Sequence, residues 1–189
     1  MDATILLTAD HDRVRGLFAK FQAAHESDDV QTMQQVVGKI TTELKVHTTI
    51  EEEIFYPEVR RGGDEIEELV AEGAEEHHVV DVLMDELPGL EPGGEEWTAK
   101  VQVMIENVEH HAEEEEKEMF PLVRQAFDTE ARSQLAERLE ARKAELGAPT
   151  VADKEDLTVE QLRELAREQE IPGRSDMDRE RLLATVDPA

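Results

Sequence analysis

Apolar residues recur along most of the chain at steps of three and four positions, the spacing that places them on one face of an α-helix. This pattern predicts a helix that starts near residue 95 and others over about residues 3–26, 30–61, 65–87 and 129–146. No window shows the alternation of period two that is typical of strands. Four long amphipathic helices joined by short loops are typical of an up-down-up-down bundle. We therefore expect an all-α fold, a four-helix bundle with an extra fifth helix.

A short C-terminal segment follows this bundle, which we assign to residues 1–147. Residues 148–156 are polar and are expected to form a linker. Residues 157–189 show a helical pattern, a Pro172-Gly173 turn and a second helical pattern, which predict a small helix-turn-helix module. Its length of about 33 residues is near the lower limit for independent stability.

The bundle contains an internal repeat that carries its candidate chemistry. The second helix holds His47–Pro57, HTTIEEEIFYP, and the fourth helix holds His111–Pro121, HAEEEEKEMFP. In both copies a glutamate, Glu51 or Glu115, follows the histidine by four residues, and the proline follows it by ten. Residues four apart lie about 5–6 Å from each other on one helix face, so each His and Glu can bind the same centre.

Each copy is preceded by a helix with its own histidine on the apolar face, His11 in the first helix and His77 in the third. Where histidines are adjacent, helical phase separates them. His77 and His111 share stripes with apolar residues and are expected inside. Their neighbours His78 and His110 line up with charged residues and are expected at the rim. The repeat thus predicts four histidines and two glutamates around one pseudo-twofold axis.

This donor set favours a metal site over a purely structural role. A fully buried glutamate is rare unless its carboxylate is paired or binds metal, because desolvation of the charge is costly. Imidazole suits iron, copper and zinc, and carboxylates can bridge hard cations. The predicted site is a dinuclear centre in the bundle core, with six ligands: His11, His47, Glu51, His77, His111 and Glu115.

Residues next to these ligands receive less specific predictions. The other glutamates in runs 51–53 and 113–116 are expected on solvated helix faces. Asp81, one turn after His77, fits three roles: an acceptor behind the ligand, an extra ligand or a surface residue. Tyr56 closely follows one His-Glu pair and is the candidate catalytic residue, as a donor of a hydrogen bond or an electron.

Composition narrows the function further. The 189 residues include 47 acidic and 20 basic side chains, and the net charge of −27 should repel nucleic-acid phosphates and anionic lipid. Cysteine is absent, which excludes thiolate nucleophiles and Cys-ligated metals. No apolar run is long enough to cross a membrane, and the N-terminus lacks a signal-peptide pattern, so we expect a cytoplasmic protein.

The chain resembles the hemerythrin-like HHE cation-binding family over about residues 3–126, through the motifs HDRVRGLF, HTTIEEEIFYP, EHHVVDVLMDEL and HHAEEEEKEMFP. The resemblance implies a bundle around two non-haem iron ions with an oxo or hydroxo bridge, held by the six ligands above. It also implies small ligands such as O2, H2O2 and NO. One departure is Asp81, where oxygen-carrying hemerythrins have a second histidine, and this disfavours simple reversible O2 transport.

Two functions remain open. The first is a di-iron redox enzyme, of catalase or peroxidase type, that removes peroxide, or nitric oxide with peroxide, as such relatives imply. The second is a sensor of O2, NO or iron that signals through the C-terminal module.

Residues 157–189 resemble the N-terminal helical domain of Rho termination factor and SAP-like domains, mainly through the Ile-Pro-Gly-Arg-Ser turn. Such relatives are associated with nucleic-acid binding. From residue 154 onward, however, ten acidic residues against six basic ones disfavour phosphate contact. A protein partner or a structural role is therefore the preferred interpretation of this module.

Overall fold

A computed structural model describes residues 1–149, 154 and 157–186 of the chain. Within these ranges the chain is helical and forms no strand, which confirms the predicted all-α fold. The expected linker over residues 148–156 lies mostly outside the described residues. The α-helices are α1 (Ala3–Glu26), α2 (Val30–Ile50), α3 (Tyr56–Val59), α4 (Asp64–Glu86), α5 (Glu95–Glu114), α6 (Phe120–Ala126), α7 (Thr129–Glu145), α8 (Val159–Glu168) and α9 (Arg179–Thr185).

The four long helices α1, α2, α4 and α5 form the bundle. Helix α1 packs along α2, α4 packs along α5, and α1 also contacts α5. Aspartate side chains begin α1 and α2 because they accept hydrogen bonds from first-turn N–H groups that have no helical partner. Asp2 accepts from the Thr4 N–H at 2.9 Å, and Asp29 accepts from the Thr32 N–H at 3.1 Å. No helix in the described ranges has the length and apolar character needed to span a membrane.

Each half of the repeat contains one π-helical turn, Glu51–Phe55 and Glu115–Met119, a feature that the hydrophobic pattern does not predict. The N–H of the following residue, Tyr56 or Phe120, donates back five positions to the carbonyl of the turn's first residue. The next residue in each copy is a proline, which has no N–H to continue an α-helical ladder. Each helix therefore has one wider, π-helical turn just before its proline. Turns of this kind are frequent at functional sites.

Two apolar clusters fill the bundle, one on each side of a polar layer. The first includes Leu7 and Phe55, and the second includes Val14 and Trp97. Along α1, Leu7 belongs to the first cluster and Val14 to the second, and the buried His11 lies between them. The fold thus places the candidate ligands in the middle of a dry core rather than at its edge.

Helix α7 and the C-terminal helix α9 both pack against α1. The apolar stripe of α7, formed by Leu135 and Leu139, is buried and continues to Lys143, which is 1% exposed and has its ammonium 2.6 Å from an oxygen of Asp10. On the same side, Arg13 of α1 donates to the carbonyl of Ala184 in α9 at 3.3 Å. Buried charged side chains next to the polar layer therefore connect both α7 and α9 to the bundle.

Gly16 marks the closest approach between α1 and the C-terminal segment. A Cβ atom added there would lie 2.6 Å from the carbonyl oxygen of Gln169 and 3.1 Å from Cδ1 of Ile171. At Gly38 in α2, by contrast, an added Cβ would have no neighbour within 4 Å among the described residues. Glycine at position 16 therefore allows a close backbone contact, and any larger residue would push α1 and the C-terminal segment apart.

The variants Gly16→Ala and Gly38→Ala separate this contact from helix propensity. Alanine is favoured over glycine inside a helix by about 0.5–1 kcal/mol, so Gly38→Ala should raise the free energy of unfolding by about that amount. Gly16→Ala should instead lower it by about 1–3 kcal/mol, because overpacking displaces backbone. Thermal unfolding followed by circular dichroism measures both, and equal stabilisation by the two variants would contradict the close packing.

Candidate metal centre

The four predicted histidines converge in two pairs at the middle of the bundle. His11 and His47 face each other with their Nε2 atoms 3.1 Å apart, and His77 and His111 do the same at 3.1 Å. Each residue is at most 6% exposed. They come from α1, α2, α4 and α5, so each long helix contributes one imidazole.

The two predicted glutamates connect the pairs. Oε2 of Glu51 lies 3.2 Å from Nε2 of His47 and 3.4 Å from Nε2 of His77. Oε2 of Glu115 lies 3.4 Å from Nε2 of His11 and 3.8 Å from Nε2 of His111. Each carboxylate therefore contacts one histidine of each pair, which is the arrangement of a ligand that bridges two ions. All six predicted residues lie in one cluster.

The donor atoms fit metal ions both in spacing and in charge. Ligands around a tetrahedral ion with bonds of about 2.0–2.1 Å lie roughly 3.4 Å apart, and the separations here run from 3.1 to 3.8 Å. Both oxygens of Glu51 and Oε2 of Glu115 are buried with no hydrogen-bond partner within the described parts of the chain. A buried carboxylate is costly unless it is paired or coordinates a metal. Two groups could each hold an ion: His11, His47, Glu51 and Glu115, and Glu51, His77 and His111.

The Nδ1 atom of every candidate ligand histidine faces an outer carboxylate. The contacts from Nδ1 to a carboxylate oxygen are 2.8 Å for His11–Glu116, 3.0 Å for His77–Glu52, 2.8 Å for His111–Glu76 and 3.6 Å for His47–Asp10. The three contacts of 2.8–3.0 Å are hydrogen bonds, which fix the orientation and tautomer of an imidazole and leave Nε2 for a metal. Nδ1 of His47 and Oδ2 of Asp10 lie too far apart for a hydrogen bond, and neither atom has another partner among the described residues. The expectation of solvated faces misses this role of Glu52 and Glu116, since the tip of each side chain reaches a histidine of the other repeat.

These outer carboxylates follow the same repeat as the ligands. Asp10 and Glu76 each come directly before a candidate ligand histidine. Glu52 and Glu116 each come directly after one of the two candidate ligand glutamates. An acidic residue at the same offset in both copies is the sequence signal that marks these four residues, although it does not show which histidine each one contacts.

Aromatic rings cover the imidazoles on the side of the π-helical turns. Tyr56 stacks on His77 with ring centroids 5.5 Å apart. Phe120, at the equivalent position of the repeat, stacks on His11 with ring centroids 6.1 Å apart. The Tyr56 hydroxyl donates to Oε1 of Glu115 at 3.1 Å and lies 3.4 Å from Nε2 of His77. Gly73 of α4 makes room for it, because a Cβ there would lie 2.9 Å from the hydroxyl oxygen. The hydroxyl is one point at which the two halves differ.

Asp10 is the most deeply buried of the outer carboxylates, at 2% exposed. Its Oδ1 accepts from Lys143 Nζ at 2.6 Å and from Arg13 Nη2 at 2.7 Å. Burial acts to raise the pKa of Asp10, but the charges of Lys143 and Arg13 outweigh it and hold this pKa well below its ordinary value. Asp10 is therefore ionised behind His47 at neutral pH.

The inner residues differ in the direction in which their surroundings shift the pKa. Burial lowers the pKa of His11, but hydrogen bonds and charge from Glu115 and Glu116 outweigh it and raise this pKa to about 9. Burial lowers the pKa of His47 to about 4, and the charge of His11 acts in the same direction. Burial and the charge of Glu115 together raise the pKa of Glu51 well above its ordinary value. Without a cation, Glu51 is thus the residue whose charge the site disfavours most.

The remaining predicted residues lie outside the cluster. His78 and His110 are exposed, as their helical phase predicts. Asp81 is also exposed, and Glu52 rather than Asp81 accepts from Nδ1 of His77. Of its three open roles, the structure places Asp81 at the surface.

An apolar cavity of about 20 Å³ adjoins the histidines on the side of the second apolar cluster. Its walls include Val14, Phe18, Leu44 and Val80. A space of this size holds about one water-sized molecule. Any ligand that approaches the imidazoles from this side must therefore be very small.

Comparison with known proteins agrees with this geometry. The model of the hemerythrin HHE cation binding domain matches residues 2–123. A DNA nickase from Nostoc sp. (strain PCC 7120 / SAG 25.82 / UTEX 2576) is 28% identical over 148 residues, which cover 77% of this chain and 40% of that protein. The chain thus spans less than half the length of this relative. No significant match was found among solved structures. The domain match ends before the C-terminal helices, whose resemblance to Rho and SAP-like domains stays a prediction.

Replacing Glu51 by glutamine should have opposite effects with and without metal. Because the pKa of Glu51 is raised, its contribution favours folding below its ordinary pKa of 4.5 and is lost as the pH rises through the folded-state value. In metal-free protein at neutral pH, Glu51→Gln should therefore raise the free energy of unfolding by about 1–3 kcal/mol. Each kcal/mol corresponds to a rise in Tm of roughly 2–4 °C. The difference from the parent protein should become smaller as the pH is lowered.

With saturating iron the order should reverse. A metal that binds only the folded state adds about 4 kcal/mol at a thousandfold excess over Kd, and Glu51→Gln should lose most of this increase. The exposed Glu113, paired with Lys117 at 3.0 Å, provides the control Glu113→Gln, which should change stability by no more than about 0.5 kcal/mol in either state. Thermal melts of verified metal-free and iron-loaded samples decide the matter, and an unchanged iron response in Glu51→Gln would contradict its placement as a ligand.

Proposed function

Since this chain belongs to the hemerythrin HHE cation-binding domain family, we propose that its buried His/Glu cluster binds two iron ions and reacts with hydrogen peroxide or nitric oxide. One observation carries the proposal: Glu51 and Glu115 each contact one histidine from each pair. Two imidazole pairs joined by two carboxylates are what a dinuclear centre requires. A mononuclear zinc site, with three protein ligands and a water, would leave several of these buried donors without a partner.

In this proposal His11 and His47 hold one ion, and His77 and His111 hold the other. Bound iron would supply the electron transfer that reduces or oxidises a small ligand. The chain's own contribution is to hold the imidazole Nε2 atoms inward through the outer carboxylates and to exclude bulk water with the two apolar clusters.

The cavity beside the histidines favours very small substrates. Its volume of about 20 Å³ and its apolar walls suit O2, NO or H2O2 rather than an organic substrate. Removal of peroxide would balance as two H2O2 giving two H2O and one O2. Oxidant removal is therefore the activity that best fits both the donor set and the space.

The name of the Nostoc relative raises the question of DNA cleavage. Two-metal centres can hydrolyse phosphodiesters, but the phosphate must then reach the ions. Here all six candidate ligands are at most 6% exposed, and the adjoining cavity has room for about one water-sized molecule, which is much smaller than a phosphodiester. A net charge of −27 also repels DNA. We therefore do not extend nicking to this centre.

Tyr56 is assigned here as a positioning residue. Burial and the charges of Glu115 and Glu51 raise the pKa of Tyr56 well above its ordinary value, so its hydroxyl stays protonated at neutral pH. It can therefore donate steadily to Glu115 and hold a proton at the edge of the cluster. The equivalent Phe120 offers no such donor.

A sensor is the second candidate, and a chain of contacts favours it. Nδ1 of His47 lies 3.6 Å from Oδ2 of Asp10, and Oδ1 of Asp10 lies 2.7 Å from Nη2 of Arg13. Arg13 in turn donates to the carbonyls of Ala184 and Thr185 in α9, at 3.3 and 3.5 Å. A change at His47 could therefore reach the C-terminal helices through two side chains.

Metal content tests the ligand assignment directly. His77→Ala should lose iron and lower the Tm by several degrees, because it removes a ligand and leaves a cavity in the core. His78→Ala, one residue along the same helix, should retain two irons per chain and the parent Tm. Metal analysis of protein grown with iron measures both, and the opposite result would show that the ligand phase of α4 is off by one residue.

Turnover separates the enzyme from the sensor. Iron-loaded protein given an excess of hydrogen peroxide should release O2 over many cycles per chain, at half the amount of peroxide consumed. An oxygen electrode measures the release, and the visible spectrum measures whether the centre survives. Loss of the spectrum after about one equivalent, with altered proteolysis of the C-terminal helices, would support the sensor and contradict the enzyme.

Two variants serve as controls for that assay. His77→Ala, supplied with the same iron, should release O2 only at the rate of free iron. Tyr56→Phe should keep both irons and the ring stacking, as Phe120 does, but should turn over more slowly than the parent protein. Equal turnover in Tyr56→Phe would restrict the role of this residue to packing.

A further inference from the structure

The two halves of the repeat differ in what neutralises their outer carboxylates. Asp10 and Glu76 occupy the same place in the repeat, directly before a candidate ligand histidine. The ammonium of Lys143 lies 2.6 Å from Asp10. In the described ranges of the chain, no lysine or arginine forms an ion pair with Glu76, whose contacts are with imidazoles. One half therefore has a cation at this position that the other half lacks.

A second His-Glu pair on α5 faces Glu76 instead. His110 and Glu114 repeat the four-residue spacing of His111 and Glu115, one residue earlier in the chain, so they lie on the adjacent, outer face of the helix. Nε2 of His110 lies 3.5 Å from Oε1 of Glu114 and 3.7 Å from Oε1 of Glu76. One ligand atom from each of the three residues lies within 4.8 Å of the other two.

This outer group has the spacing and the donors of a metal site. Separations of 3.5 and 3.7 Å are close to the roughly 3.4 Å between ligands of a tetrahedral ion with bonds of about 2.0–2.1 Å. One imidazole and two carboxylates suit borderline divalent ions such as Zn²⁺. Glu76 is also oriented in advance, because its Oε2 already accepts from Nδ1 of His111 at 2.8 Å and its Oε1 is left facing His110.

We propose that Glu76, His110 and Glu114 form a mononuclear site for a divalent transition-metal ion, distinct from the buried centre. The ion takes, beside Glu76, the place that the Lys143 ammonium takes beside Asp10. Three protein donors leave a fourth position for water, as in open zinc sites. The net charge of −27 raises the local concentration of cations. Because Glu76 also holds His111, occupancy of this outer site bears on a ligand of the buried centre.

The test is a Zn²⁺ titration of tag-free protein whose buried centre is already loaded with iron. Calorimetry and equilibrium dialysis should detect one further Zn²⁺ per chain, with no iron released into the dialysate. His110→Ala and Glu114→Gln should each weaken this binding at least ~10-fold, the smallest loss expected when a contributor to a metal site is removed. Both variants should keep the iron content and Tm of the parent protein.

His78→Ala is the matched control, because it removes another exposed histidine, from the neighbouring helix, and should leave Zn²⁺ binding unchanged. The proposal is overturned if the parent binds no further Zn²⁺, if both α5 variants bind it as well as the parent, or if His78→Ala weakens it as much as they do. Iron content and O2 release are measured on the same samples before the titration. Failure of the proposed function therefore appears separately from failure of the outer site.

Discussion

Two carboxylates buried in one layer of an apolar bundle are the constraint on which the rest of this structure depends. Glu51 and Glu115 are 0% and 1% exposed, and each lies between two imidazoles. The outer carboxylates add four more acidic groups around the same layer. Arg15, Arg13 and Lys143 offset part of this charge at Glu116 and Asp10. Cations bound at the centre would balance the remainder, which is why a metal site explains this core better than packing does.

The repeat interlocks its halves rather than placing two independent sites side by side. Glu51, Glu52 and Tyr56 belong to the first half, yet all three contact His77 of the second half. Glu116 makes the reciprocal contact with His11. Neither half could therefore complete the His/Glu cluster alone, and docking of the two helix pairs is inseparable from assembly of the cluster. Differences between the halves then lie outside the ligand set, at Tyr56 against Phe120 and at Asp10 against Glu76.

The inner residues could be predicted from sequence because helical phase puts each of them on the apolar face of its own helix. His47 and Glu51 share a face through their spacing, and the repeat supplies the equivalent pair. The contacts of Glu52 and Glu116 could not be obtained in this way, since they cross between helix pairs and depend on the packing of the bundle. Lys143 continues the apolar stripe of α7 at the correct interval, but its charge points to the surface unless a buried partner such as Asp10 is already known.

The π-helical turns also set the rotation, about the helix axis, of the residues after each turn relative to the residues before it. A π turn takes up one residue more than an α-helical turn, so the residues after it are rotated by about 100° from the positions that a regular helix would give them. Glu51 begins such a turn and Tyr56 follows it, as do Glu115 and Phe120 in the second copy. Each candidate ligand glutamate and the aromatic residue that follows it in the same helix are thus in different helical registers. A helical wheel drawn without a gap through either turn would put the aromatic ring on the wrong face.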